Sequence, residues 1–385
     1  MIDSQEVLHE PAQARFEPVD LSTAPEVNAL LTRLGLGSFR IDTVVAHVGR
    51  NDNWAGKTTT GRRVFVKRLG GDRSEAARRY RRIVTFERLA AELVETPLAS
   101  PRLLGADEQQ LLVLFEGLED ARSGSELAAD GDFDEDLCHE AGRMLGVLHS
   151  SVVEPGELDE TPHPLPPMES FEALSLPRFV DAGFAEMEAW SLLQADRQLV
   201  SVLGTLREHE ASARKVPTHG DLRLDQYLLH GDTLHLTDWE ELRLGDPARD
   251  IGGFVGEWLY RAVRDIPKTL RHDADRPFDQ EATHREILTY GAREIERLHP
   301  RMHAFWEGYL REGTTAGKPS GQAIDADLPA RAAAFAGWHM IDRLLANAPY
   351  VPRIGAADRA AAGIGRVLLL DPHVHVSTLG LEKTR

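Results

Sequence analysis

Short alternating runs of hydrophobic and polar residues occupy the first third of the chain. The pattern predicts helices at 25–34 and 75–95 and strands at 44–48, 54–59, 63–69, 102–106 and 111–115. A turn at Thr60-Gly61 joins the second and third strands as a hairpin. We therefore predict a small antiparallel domain of five strands with one long helix.

Beyond residue 118 the spacing of apolar residues becomes helical. Leu137, Ala141, Leu145 and Leu148 share one face, and further helices are predicted at 250–264, 286–312 and 329–348. We interpret the chain as an α+β protein with two lobes and a hinge near 116–125. The predicted parts are a flexible N-terminal arm at 1–24, a nucleotide-binding lobe at 25–118, and a mainly helical catalytic lobe at 119–385 with a Pro-rich insertion at 154–177.

The composition excludes some classes of function. With 44 basic and 62 acidic residues the formal charge is −18, which argues against a general nucleic-acid binder. The chain opens without a basic segment or an apolar signal segment, and no later run is apolar enough to cross a bilayer, so we expect a cytoplasmic protein with no membrane partner. The single cysteine, Cys138, is interpreted as a packed thiol.

The segment at 218–226 contains His-Gly-Asp, and an aspartate follows after a predicted hairpin. Phosphoryl transfer needs a carboxylate that orients the incoming hydroxyl and accepts its proton, and Asp221 fits that role. Gln226 stands where an asparagine normally gives an oxygen to Mg²⁺. Asp238 corresponds to the metal-binding aspartate of the protein-kinase Asp-Phe-Gly motif, with Trp239 in place of Phe. We predict that Asp238 and Gln226 bind the metal.

Three further residues near this segment have predicted roles. Arg223 is a candidate for stabilising charge on the transferring phosphate. In the turn Gly-Asp-Pro-x-x-Asp, we predict that Asp250 caps a helix and that Asp246 hydrogen-bonds the catalytic loop.

Lys67 lies in Val-Phe-Val-Lys on the third predicted strand, the context of the lysine that holds nucleotide phosphates. Its acidic partner is expected on the following helix. Glu87 is the first choice, and Glu75 and Glu92 are alternatives.

The polar loop before the second strand is placed to cover the phosphates of the nucleotide, although it lacks spaced glycines. Its candidate nucleotide ligands are Arg50, Asn51 and Asn53. Adenine is expected against the backbone from Glu116 to Leu118, which follows the last strand of the small lobe.

Each motif alone is weak, since a lone lysine on a strand is usually solvated and Gly-Asp-Pro is a common turn. Their order along one chain is what favours a kinase. His373 and His375 alternate on a possible strand and could face a metal, but packing or surface roles are favoured. The arginine run on the predicted helix is interpreted as a mostly solvated face, with an acidic-peptide docking strip as the alternative: Arg73, Arg78, Arg79, Arg81 and Arg82.

These motifs resemble the aminoglycoside phosphotransferase and choline kinase branch of the protein-kinase-like fold over roughly residues 40 to 350. The resemblance implies an O-phosphotransferase that uses ATP and Mg²⁺. It carries Asp221, Gln226, Asp238 and Lys67 to the roles given above, but it does not carry the substrate.

A narrower resemblance is to the kinase-like subunit of class V lanthipeptide synthetases. It rests on the segments at 49–56, 65–69, 218–229 and 238–258. It implies phosphorylation of Ser or Thr in a ribosomally made precursor peptide, followed by elimination of the phosphate by a separate lyase protein. Two alternatives stay open: a kinase for an aminoglycoside or another small hydroxylated metabolite, and a pseudokinase scaffold.

Overall fold

The computed structural model describes residues 19–47, 50–93, 98–272, 284–313 and 325–382. The chain divides into two compact units. The first comprises Met1–Glu87 and Ser100–Ala121, and the second comprises Arg88–Ala99 and Arg122–Arg385.

The first unit contains the predicted five-stranded antiparallel sheet. Its strands are β1 (Val45–His47), β2 (Asp52–Lys57), β3 (Arg63–Arg68), β4 (Leu103–Asp107) and β5 (Leu112–Glu116), in the order β1-β2-β3-β5-β4. The second strand begins at Asp52, two residues before its predicted start, so Asp52 and Asn53 belong to the sheet and not to the preceding loop.

Helices cover both faces of this sheet, because side chains alternate along β3. Val64 and Val66 share a buried cluster with α1 (Pro25–Arg33), whereas Val113 of β5 clusters with α2 (Arg73–Glu92). Lys67 follows Val66, so its side chain belongs to the face covered by α2.

Part of the predicted flexible arm is folded. A short 3₁₀ turn at Leu21–Thr23 begins with a hydrogen bond from Ser22 N to Asp20, and Ala24 is completely buried. The indole of Trp54 donates to the carbonyl of Val19 at 2.8 Å. The few apolar residues that pack on the sheet stand among polar residues here, so the sequence pattern did not indicate a folded segment. Residues 1–18 lie outside the described residues.

The second unit is mainly helical and holds two small β elements. Strands β6 (Arg122–Ser123), β8 (Tyr227–His230) and β9 (Thr233–Leu236) form one antiparallel sheet, and β7 (Val216–Thr218) pairs with β10 (Arg243–Gly245). Its described helices are α3 (Gly124–Asp130), α4 (Glu135–Ser150), α5 (Met168–Glu172), α6 (Leu176–Asp181), α7 (Phe184–Ala195), α8 (Arg197–Ser212), α9 (Pro247–His272), α10 (His284–Gly313), α11 (Leu328–Asn347), α12 (Ala356–Leu370) and α13 (Pro372–His375).

Close helix contact in this unit depends on glycine. A Cβ atom at Gly256 of α9 would lie 2.8 Å from the Cβ of His339 and 2.9 Å from the carbonyl of Ala336, both on α11. The two helices therefore approach closely enough for their polar side chains to meet.

Two other predictions can now be judged. Cys138 is buried, and burial raises the pKa of its thiol, which confirms the packed interpretation. The possible strand at His373 and His375 is wrong, because these residues lie in the short helix α13. None of the described helices is long and apolar enough to span a membrane.

Candidate active site

Asp221 lies in the loop between β7 and β8. The loop turns at Gly220, whose φ of 84° suits glycine, and a Cβ there would lie 2.6 Å from the carbonyl of Glu241. The side chain of Asp221 keeps 43% of its surface exposed. Desolvation by the surrounding protein raises the pKa of Asp221, while Arg223 and Arg343 oppose that rise.

Arg223 is held between two carboxylates of the same loop. Its Nε and Nη2 each donate to Asp225 at 3.0 Å, and its Nη1 lies 3.3 Å from Oδ2 of Asp221. This fork fixes the guanidinium beside the proposed base, so the structure brings Arg223 and Asp221 together as predicted.

The backbone of the loop is held by Asp250, whose carboxylate is completely buried. Its Oδ2 accepts from the backbone amide of His219 at 2.7 Å and its Oδ1 from that of Gly220 at 2.9 Å. Nε2 of His149 also lies 3.1 Å from Oδ2, and the Tyr309 hydroxyl lies 3.2 Å from Nδ1 of the same ring. Burial raises the pKa of Asp250, but His149, His219 and the amide donors overcome it and leave the pKa below its ordinary value.

The predicted roles of Asp246 and Asp250 are therefore wrong and must be exchanged. Asp246 caps α9 by accepting from the amide of Ala248 at 3.0 Å, and it binds both Nε and Nη2 of Arg331 on α11 at 2.8 and 3.1 Å. The spacing alone cannot separate the two roles, since both aspartates precede or open the same helix. The distinction comes from which carboxylate the helix directs toward β7.

His219 connects the loop of Asp221 to that of Asp238. Its Nε2 lies 2.8 Å from the carbonyl of Thr237, and its ring contacts that of Trp239 with centroids 4.9 Å apart. Asp238 itself has φ 69° and ψ 56°, a left-handed conformation that is costly for a residue with a side chain. Strained conformations of this kind are concentrated at functional sites.

The predicted metal ligands fit a divalent ion. Burial is the main cause that raises the pKa of Asp221, and the negative charge of Asp238 adds to it. Gln226 is buried, and its backbone carbonyl accepts hydrogen bonds from the amide and the hydroxyl of Thr237. Its side-chain amide makes no hydrogen bond within the part of the chain that the structure describes. A carboxylate and an uncommitted amide oxygen are ligands that Mg²⁺ accepts, with phosphate oxygens completing the shell. Among the described residues no group of three or more His, Cys, Asp or Glu is arranged to hold a metal.

Arg343 and Glu257 are site residues that sequence reasoning missed. Glu257 on α9 contacts His339 on α11 at 2.9 Å, and Arg343 lies one helical turn after His339. Although burial raises the pKa of Glu257, His339, Arg343 and Arg223 together lower it to about 2. Nothing in the sequence pattern marked these residues, because their contact depends on the packing of two helices distant along the chain.

In the first unit, Lys67 and Asn53 are cross-strand partners in the β2–β3 register. Lys67 is buried, and the side-chain oxygen of Asn53 is buried without a recorded hydrogen bond to the described residues. The sheet therefore brings together two of the predicted nucleotide ligands. Their approach to Asp221 and Asp238 stays a prediction.

The other predicted residues of the loop before β2 differ in exposure. Arg50 is exposed, whereas Asn51 is buried and its oxygen accepts from Nη1 of Arg79 at 2.9 Å and from the amide of Gly70 at 3.2 Å. Arg79 is completely buried and Arg82 is nearly so, whereas Arg73, Arg78 and Arg81 are exposed. The arginine run is therefore mostly a solvated face, as predicted, with two buried exceptions.

Glu87, the first choice as partner of Lys67, lies half-buried on α2. Burial raises the pKa of its carboxyl, and a hydrogen bond from the backbone of Leu103 opposes that rise. The alternative Glu75 bonds to Arg78, and Glu92 is exposed. The ion pair with Lys67 stays a prediction.

Adenine recognition by the segment from Glu116 to Leu118 also stays a prediction. Two of the three backbone amides in this segment donate hydrogen bonds to carbonyls of the protein. The amide of Glu116 donates to the carbonyl of Arg102 at 2.9 Å and that of Gly117 to Arg63 at 3.0 Å. Among the described residues, the amide of Leu118 has no backbone hydrogen-bond partner.

Comparisons with known proteins agree on the class of enzyme. Residues 43–305, more than half of the chain, match the sequence profile of the phosphotransferase enzyme family. No curated protein matches significantly. One similar structure is an amicoumacin kinase, hAmiN, determined with AMP-PNP and Ca²⁺: 14% identity, 94% of this chain and 95% of that chain covered, TM-score 0.53.

Two further similar structures come from named organisms. A choline/ethanolamine kinase family protein from Mesorhizobium loti has 15% identity over 94% of this chain and 99% of its own, with a TM-score of 0.50. A choline kinase from Cryptosporidium parvum has 13% identity over 88% and 90%, with a TM-score of 0.52. At these identities the likeness shows a shared bilobal α+β fold and not a shared substrate. Together with the family match over 43–305, it shows that the chain belongs to the phosphotransferase enzyme family, whose members transfer phosphoryl groups to hydroxyl groups.

Proposed function

We propose that this protein transfers the terminal phosphoryl group of ATP, with Mg²⁺, to Ser or Thr hydroxyls of a ribosomally made precursor peptide. The observation that carries the phosphotransferase part is the fixed loop around Asp221: a buried carboxylate holds its backbone, and Arg223 lies 3.3 Å from its side chain. The choice of a peptide rests on the resemblance of four sequence segments to class V lanthipeptide synthetases.

The residues of the second unit divide the chemistry between them. The acceptor hydroxyl would bind to the carboxylate of Asp221, which orients it and accepts its proton as the new bond forms. Arg223, fixed by its fork to Asp225, would stabilise charge on the oxygens of the transferring group. Because Gly220 and His219 are anchored on Asp250, the base needs little reorganisation before the reaction.

Asp238 and Gln226 would hold Mg²⁺, which when bound neutralises phosphate charge. On the nucleotide side, Lys67 would bind the α- and β-phosphates, and the amide of Leu118 would donate to the purine. In the proposed function a separate lyase would remove the phosphate. The proposed location is the cytoplasm, where ATP and ribosomally made peptides are available.

A second candidate function is phosphorylation of a small hydroxylated molecule. The observation in its favour is that the similar structures are named as kinases of amicoumacin and of choline or ethanolamine. The fold alone does not decide between these acceptors and a peptide.

The test is to incubate the protein with ATP, Mg²⁺ and short Ser-rich peptides encoded beside its gene, first without and then with the neighbouring lyase. Mass spectrometry should show gain of phosphate without the lyase and loss of water with it. Transfer to choline or an aminoglycoside, with no transfer to any such peptide, would decide for the second candidate.

Asp221→Asn is the control for a pseudokinase. It should lower the rate by about 10³ or more while nucleotide binding persists. Full biological activity of this variant would show that the protein acts as a scaffold.

A further inference from the structure

A buried cation lies beside the start of β2 and the end of β3 in the first unit. Arg79 projects from α2 and is completely buried. Its Nη1 donates to the side-chain oxygen of Asn51 at 2.9 Å, and its Nη2 donates to the carbonyl of Gly70. The amide of Gly70 donates in turn to the same Asn51 oxygen at 3.2 Å.

These bonds join three segments that are separate in the sequence. Asn51 lies just before β2, Gly70 lies two residues after β3, and Arg79 lies within α2. Their packing is tight, since a Cβ at Gly70 would lie 2.9 Å from the carbonyl of Arg50. The cluster of Asn51, Gly70 and Arg79 is named here the arginine latch.

The arginine latch lies between the predicted phosphate ligands. Arg50 immediately precedes Asn51 in the loop, and Lys67 lies on β3 three residues before Gly70. A latch that joins the loop to the end of β3 therefore fixes the position of one ligand relative to the other. This matters because the loop lacks the spaced glycines that would let backbone amides wrap a phosphate.

The chemistry of the latch requires arginine. Its planar guanidinium offers donors in a fixed fork, which reach a carbonyl and an amide oxygen at once, whereas a lysine ammonium cannot reproduce that geometry. The full positive charge also stays in a buried environment, where electrostatic interactions with a polyphosphate are less screened than at the surface.

We propose that Arg79 is a positioning residue that fixes the loop at Asn51 against the end of the Lys67 strand and thereby sets the affinity for the polyphosphate part of the nucleotide. This inference rests on the proposed use of ATP and adds the element that orders its phosphate site. Arg79 acts through Asn51 and the backbone and does not itself touch the nucleotide.

The test compares affinities for MgATP, MgADP, AMP and adenosine by calorimetry in wild-type protein, Arg79→Lys and Asn51→Ala. Arg81→Lys is the matched control, because Arg81 is exposed on the same helix. We expect Arg79→Lys and Asn51→Ala each to weaken MgATP about tenfold or more, with progressively smaller losses for fewer phosphates and less than about twofold for adenosine. Arg81→Lys should bind like wild type.

Three results would overturn the inference. Equal losses for adenosine and MgATP would show a general structural role, and no loss in either latch variant would show that the latch does not order the site. If Arg79→Lys fails to fold, Asn51→Ala still breaks the latch while retaining the cation. A wild-type protein that binds no nucleotide would refute both the proposed function and this inference, whereas wild-type binding without a phosphate-dependent loss refutes this inference alone.

Discussion

The two units of this protein each hold one functional loop with one buried ion, but the ions have opposite charge. In the second unit the carboxylate of Asp250 accepts from the amides of His219 and Gly220. In the first unit the guanidinium of Arg79 donates to Asn51 and Gly70. Both ions are hydrogen-bonded to groups of the loop, which helps a buried charge to be tolerated, although among the described residues Nε of Arg79 is buried without a hydrogen-bond partner.

The difference in charge suits the difference in task. In the proposed function the loop of Asp221 is held by its backbone amides, so the carboxylate of Asp221 can meet the acceptor hydroxyl while it stays beside Arg223. The loop that is proposed to meet polyphosphate is held by a cation, whose charge would favour an anionic ligand. The comparison predicts that breaking the first anchor changes turnover and that breaking the second changes nucleotide affinity.

Of the substitutions that leave Asp221 in place, Asp250→Asn is expected to have the largest effect. An asparagine replaces one acceptor oxygen with a donor, so the amide of His219 or Gly220 would face an N–H₂ group in a buried site. We expect kcat to fall about 10²-fold or more, with MgATP affinity within about twofold of wild type. Steady-state kinetics and calorimetry measure the two quantities.

Asp232→Asn, at an exposed turn between β8 and β9, is the control for a change of the same chemistry. It should leave both quantities unchanged. A variant Asp250→Asn that loses nucleotide affinity and keeps kcat would contradict the division of labour between the two units.

The sequence predicted one of these anchors better than the other. Gly-Asp-Pro-x-x-Asp marked Asp246 and Asp250 as important, although their roles were exchanged, because a motif gives spacing and not direction. Arg79 was hidden in a run of arginines with polar neighbours. Only the turn at Gly70, which packs against the helix, shows that this position faces inward.

Local patterns predicted the five-stranded sheet, α1 and the long helices, since each depends on the periodicity of its own residues. Contacts between distant segments were not predictable in the same way. The Glu257–His339 pair and the approach of Arg343 to Asp221 depend on how α9 packs on α11, which no single window of the chain contains.

A smaller but separable effect is expected from Glu257, a buried ion that holds no loop. Its folded pKa is about 2, below the ordinary value of 4.5, so its ionised form favours folding. The sign follows from that depression: the contribution is complete above about pH 5 and is lost as pH falls toward the folded pKa. The depression corresponds to stability on the order of 3 kcal/mol at neutral pH.

The measurement is the free energy of unfolding by urea between about pH 7 and pH 3 for wild type and Glu257→Gln. The gap between the two proteins should be widest at neutral pH and should narrow on acidification. Parallel curves for the two proteins would contradict the assigned pKa and would leave the stabilisation at this position to packing.

Next in size is Arg223→Lys, which changes an ion on the functional loop itself. Lysine retains the charge near Asp221 but loses the fork to Asp225, so the cation is less well fixed. We expect kcat to fall about tenfold, with less change in KM for ATP. A fall in affinity for ATP with unchanged kcat would place Arg223 in nucleotide binding and not in stabilisation of the transferring group.

The smallest effect is expected for an ion pair that is neither buried nor attached to a functional loop. Arg122 bonds to Asp130 at 2.5 Å and to Asp132 at 2.7 Å, and 41% of its side chain is exposed. Water screens the attraction within such a pair. The small attraction that remains is nearly cancelled by the conformational freedom that the long side chain loses when the pair forms. Arg122→Gln should therefore shift the urea midpoint by no more than the scatter of repeat measurements, both at low ionic strength and in about 1 M salt, where screening acts over about 3 Å. If this variant lowered kcat as much as Asp250→Asn, then charge alone, and not burial with hydrogen bonds to the loop, would explain the importance of the two anchors.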